Sequence, residues 1–155
     1  MSVTAGQAVS QRLVTGFLAG ALAVLVFHQA AILALGLAGV IPSGNAWSLR
    51  PNAWHVPVLV SGMFWGGLWG CLYALTLTRL PRPLWLGGLV FGVVGPALVG
   101  VWLVLPLLRG GPVFAGFAPA RLLLGGVIHA VYGIGLALFY GVISRHMARR
   151  QGPAQ

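Results

Sequence analysis

Four histidines and one cysteine are the side chains in this 155-residue chain best suited to bind a metal, attack a substrate or exchange a proton near neutral pH, and no Asp or Glu accompanies them. Without a carboxylate there is no Asp or Glu to act as general acid, nucleophile, magnesium ligand or intramembrane proton carrier. Two histidines, His28 and His129, lie inside long apolar runs, with Gln29 beside the first. Ionisable side chains at such positions are expensive in lipid and are functional candidates by default.

Two facing imidazoles could ligate a haem iron or another tetrapyrrole metal from both sides, and Gly125, Gly126 and Gly133 around His129 would leave room for a flat macrocycle. Its propionates would need Arg50, Arg121 or His55, and a plain metal site would have to recruit His55. The structural alternative is simpler. Neutral His and Gln inside a bundle hydrogen-bond across helices, steadying it by about 0.6 to 2 kcal/mol per bond. A substrate or proton path stays open beside both. Cys71 has no intrachain partner and reads as a small buried hydrophobe.

The elements that must hold these residues follow from composition. Apolar residues make up 59% of the chain and charged ones 6%, against about 25% charged in a soluble domain. A hydrocarbon core ~30 Å thick needs about 20 apolar residues of helix. Four runs qualify: 13–41, 57–80, 84–108 and 122–143. Backbone groups cannot go unpaired in lipid, so each run is forced into a helix, and the expected fold is an all-α bundle of four transmembrane helices in a single domain. The first run is too long for a signal-peptide core and is expected to be retained; tilt, or an end that emerges, would accommodate its length.

All nine charges are arginines. They fall between the runs instead of along one basic face, which points to topology signals and away from nucleic acid. Arg12, Arg79, Arg82, Arg145, Arg149 and Arg150 share one side, against Arg50, Arg109 and Arg121 on the other. The excess places both termini on the cytoplasmic side. Arg145, Arg149 and Arg150, with His146 among them, are expected to hold anionic lipid headgroups. The loop from Pro42 to Val56 carries Asn-Ala-Trp twice, and its tryptophans are expected to anchor it on the membrane surface. In this orientation His28 lies ~22 Å from its end of the first run and His129 ~10 Å from the opposite face, at 1.5 Å per residue. Both then sit at one level, able to meet if the first and fourth helices are neighbours.

Small residues four apart let helix backbones approach closely in lipid. Gly16 and Gly20 in the first run, Gly62, Gly66 and Gly70 in the second, Gly88 and Gly92 in the third, and Gly125 and Gly133 in the fourth are the expected packing positions. Pro96 is expected to kink the third helix. A faint repeat sets Gly62, Gly66, Gly70 and Ala74 against Gly125, His129, Gly133 and Ala137, and Gly16 and Gly20 against Gly88 and Gly92, as in a duplicated two-helix hairpin.

The string Gly16 to Ala21 leading to Phe27-His28-Gln29, together with Phe64-Trp65-Gly66-Gly67-Leu68-Trp69-Gly70, resembles a family of small, uncharacterised four-span proteins of the bacterial inner membrane. The resemblance covers the first two runs and implies a bacterial multi-pass protein; it carries no activity, cofactor or site residue with it. The function expected from these features is non-enzymatic: an accessory or structural subunit without a cofactor, partnered by the bilayer and by a second copy or a larger membrane complex through its glycine-lined faces. The alternatives are a bis-histidine haem protein at His28 and His129, and a small transporter or channel.

Overall fold

The computed structural model describes residues 3–42 and 44–150, with side chains over 9–42 and 44–149. It is an all-α bundle of four helices long and apolar enough to cross a membrane. Helix α1 runs through Val3–Ala23, a wider π-type turn Val24–His28, and Gln29–Leu37. Helix α2 is Val58–Thr76 closed by a 3-10 turn Leu77–Arg79, and α3 joins Leu84–Gly92, a π-type stretch Val93–Val104 and Leu105–Arg109. Helix α4 is Pro119–Arg150.

Both outer helices differ from the hydropathy reading at each end; α1 starts at Val3, ahead of the expected 13, and α4 at Pro119, ahead of 122. Helix α1 stops at Leu37, short of the expected 41, because Gly39 takes φ +70°. The Val40 N–H then bonds the Leu35 carbonyl and the Gly39 N–H that of Gly36, a Schellman stop that apolarity alone does not signal. Helix α4 runs past 143 and carries the arginine cluster out on the same rod. At 32 residues it is ~48 Å long, more than the ~30 Å of hydrocarbon it has to cross.

The glycine positions pack inside one chain. A Cβ on Gly16 would strike the carbonyl of Gly70, and one on Gly70 the carbonyl of Gly16; Gly20 meets the Gly66 carbonyl in the same way. In the second hairpin Gly88 meets the Gly133 carbonyl and Gly92 that of His129. Ala74 flanks Gly16 as Ala137 flanks Gly88. The sequence repeat is thus a repeat of contacts, with α1 on α2 reproduced by α3 on α4. The widened turns also correspond, since Val24–His28 shifted by the offset of the glycines falls within Val93–Val104. Pro96 lies in that stretch. Proline removes an N–H and crowds the carbonyl four residues back, and the chain answers by widening the turn over twelve residues in place of the expected local kink.

Helices α1 and α4 are also in direct contact, where Phe27 lies on Gly135 and the Thr15 hydroxyl donates to Met147 Sδ at 3.3 Å. Helices α2 and α3 meet through rings: Phe91 packs edge-on against Trp69 and Tyr73, at 6.2 and 5.3 Å between centroids. The Trp69 indole lies over Gly95 and Gly100. Helix α3 has the same 28% buried share as α2 and α4, because these rings close the bundle around it.

A histidine cleft as candidate functional site

The π-type turn of α1 ends on His28 and is followed at once by Gln29, which is buried. From α4, His129 comes to meet them. The two imidazole rings stand edge to face, 5.6 Å between centroids and 80° between planes. Depth arithmetic put them at one level, and the contact of α1 with α4 brings them together.

Each ring has one nitrogen engaged. His129 Nδ1 lies 2.8 Å from the Gly125 carbonyl; a carbonyl only accepts, so Nδ1 carries the proton and Nε2 presents a lone pair. The Gln29 amide nitrogen stands 3.4 Å from His28 Nδ1. An amide nitrogen only donates, so in the neutral ring the His28 proton sits on Nε2. Gln29 is turned this way because its Oε1 accepts the main-chain N–H of Trp47 at 2.9 Å.

That bond adds a tie to the bundle to what was expected of the first loop. Trp47 does not simply lie on the surface: its main-chain N–H reaches Gln29, and its indole N–H donates to the Leu25 carbonyl at 2.8 Å. The loop folds back along the end of α1, and Trp47 takes φ 49° to do so. The second Asn-Ala-Trp behaves differently. Asn52 Oδ1 accepts the N–H groups of Trp54 and Val56, making a local turn that leaves Trp54 70% exposed, as an interfacial anchor would be.

A cavity of about 360 Å³ opens beside the pair, bounded by α3, α4 and the connection between them, where Pro112 and Ala115 line it. His28 and His129 line it together with Trp102 and Arg121, and Val101, Leu124 and Ile128 supply apolar wall. Among the described residues, the one enclosed side-chain nitrogen or oxygen without a hydrogen bond is the Tyr73 hydroxyl. The Nε2 atoms of His28 and His129 and the Trp102 indole N–H also lack partners but are not enclosed, and all three residues line the cavity. The site therefore offers two N–H donors and one lone pair, with the Arg121 guanidinium on the wall. Arg121 has no Asp or Glu in the chain to pair with.

The room that glycines were expected to leave for a macrocycle is taken. Trp102 covers Gly125 and Gly126, with its Nε1 2.9 Å from where a Gly125 Cβ would stand. Gly133 is closed against Gly88 and Gly92. The three glycine faces around His129 are thus covered by α3. Among the described residues no three His, Cys, Asp or Glu gather, so His55 does not join the pair.

The remaining expected positions are structural or peripheral. Gly62 faces the Val24 side chain at 3.5 Å. Cys71 is half-buried and its thiol donates to the Leu13 carbonyl at 3.4 Å. Tyr132 and Tyr140, which share the face of His129, are buried, and the Tyr132 hydroxyl donates to the Gly66 carbonyl at 2.7 Å. Arg145 and Arg149 are exposed around a hollow of about 190 Å³ with Val142 and His146, while the Arg150 side chain lies outside the described part. Trp102 and the Trp47–Gln29 bond were not expected at the site. The one signal for the first was its indole, the single polar side chain in the interior of an otherwise apolar span, Trp85 lying at the edge. Comparison with family models, curated proteins and solved structures finds no match.

Proposed function

We propose that this chain is a non-enzymatic accessory protein of the bacterial inner membrane, with both termini in the cytoplasm, that holds a membrane-soluble ligand in the cleft at His28 and His129. The observation that carries this reading is a pair of unpartnered, unenclosed Nε2 atoms on two histidines that line one cavity. A histidine kept only for packing would be expected to satisfy both nitrogens within the bundle, since unpaired polar groups in hydrocarbon are costly. The lack of any carboxylate supports a binding role over catalysis.

The glycine seams are occupied within the bundle, so association with a further chain would run through the lipid-facing side chains. Native mass spectrometry of protein extracted from its own membranes in mild detergent tests the reading. The 16.2 kDa chain should carry a small molecule that a His28→Leu, His129→Leu double variant has lost. Wild-type protein that consistently arrives bare would overturn it. Single cysteines placed at Arg50 and Arg82 in a Cys71→Ala background should label from opposite faces, the first from outside.

A further inference from the structure

We propose that the ligand of this cleft is a monocarboxylic acid with a medium-length alkyl chain, its carboxyl group bound from the cavity by both His28 and His129. The proposal rests on the binding reading above and gives that ligand a chemistry. A carboxylic acid presents an acceptor and a donor on adjacent atoms. Its carbonyl oxygen accepts from His28 Nε2–H, and its O–H donates to the lone pair of His129 Nε2. The complementarity is set from outside the ring pair, by Gln29 on one imidazole and the Gly125 carbonyl on the other. The Trp102 indole N–H, on the same cavity, supplies a second donor for the carbonyl oxygen.

Charge and size agree with this choice. A neutral acid group can be bound deep in the bundle without the cost of burying an ion. In water the same molecule is an anion, and the one charged side chain on the cavity is Arg121, eight residues or ~12 Å along α4 from His129. With no Asp or Glu anywhere in the chain to compete, Arg121 draws anions to the mouth. A volume of about 360 Å³ takes roughly a dozen water-sized groups at ~30 Å³ each. That is an acid of about eight to ten carbons in all, its chain lying against Val101, Leu124 and Ile128.

The test uses the full chain in nanodiscs of zwitterionic lipid at about pH 5, close to the range in which an aliphatic carboxyl titrates. Octanoic acid carrying a diazirine on its tail is photolysed and the adducts are mapped. Label should appear on Val101, Leu124 or Ile128. Octanamide, which keeps an acceptor and a donor, should displace it about as well as octanoic acid. Methyl octanoate, which has lost the donor, should be roughly tenfold weaker. Label spread over lipid-facing positions, or an ester that competes as well as the amide, overturns the proposal. His129→Asn and His28→Asn should each reduce labelling, and the competitor series on wild-type protein decides the matter even if neither variant folds. If octanoic acid fails to displace a molecule that the wild-type protein already carries in the cleft, the acid is wrong and the cleft stands. If wild-type protein neither carries nor takes any ligand, both fall.

Discussion

Gln29 accepts the main-chain N–H of Trp47, and through that bond an extramembrane loop decides which nitrogen of His28 holds the proton. Replacing Gln29 with Leu removes both links. The Trp47 amide should then exchange its hydrogen about five-fold faster, the equivalent of ~1 kcal/mol for one lost bond. Hydrogen-exchange mass spectrometry over 44–50 reads this directly. Unchanged protection would mean that the indole bond to Leu25 alone holds the loop.

Gly70→Ala and Gly133→Ala should destabilise the chain by similar amounts, about 1 to 3 kcal/mol each. Each new methyl would be driven into a backbone carbonyl, Gly16 in one hairpin and Gly88 in the other, and backbone cannot step aside as a side chain can. Gly111→Ala, where nothing lies within 4 Å, is the control and should be neutral. Thermal or SDS unfolding followed by circular dichroism is the measurement.

Two buried tyrosines should respond in opposite senses. Tyr132→Phe deletes the hydroxyl bonded to the Gly66 carbonyl and should cost about 0.5 to 1.5 kcal/mol. Tyr73→Phe removes a hydroxyl that is enclosed without a partner, so it should be neutral or stabilising. The same unfolding assay separates them, and a cost at Tyr73 equal to that at Tyr132 would contradict the assignment.

Protein purified from haem-replete cells should show no Soret band, since Trp102 occupies the space beside Gly125 and Gly126. A stoichiometric Soret band abolished by His129→Leu would show that Trp102 swings aside.

The four helices were legible in the sequence because a lipid environment leaves an apolar run of that length no other way to pair its backbone. The shared level of His28 and His129 was legible as well, as arithmetic on depth, but not that α1 and α4 are neighbours. What hydropathy could not show depends on backbone conformation. The end of α1 is decided by a positive φ at Gly39, and the response to Pro96 was spread over a widened stretch. Trp102 was hidden for a different reason: a tryptophan in a span has the same apolar character whether it faces lipid or covers a glycine on the next helix. Gln29 was visible as a polar residue, but its partner came from a loop whose tryptophans matched interfacial anchors equally well.

The matching contacts of the two hairpins have an evolutionary reading. A hairpin whose glycine seam is repeated in tandem is what results when a gene for half of a symmetric dimer is copied and joined to itself. In a true dimer, every side chain placed on the axis appears twice. Fusion lifts that constraint, and here Gly66 is matched by His129 and His28 by Gly100. One imidazole from each half then faces a single off-centre pocket, which two identical halves could not have built only once.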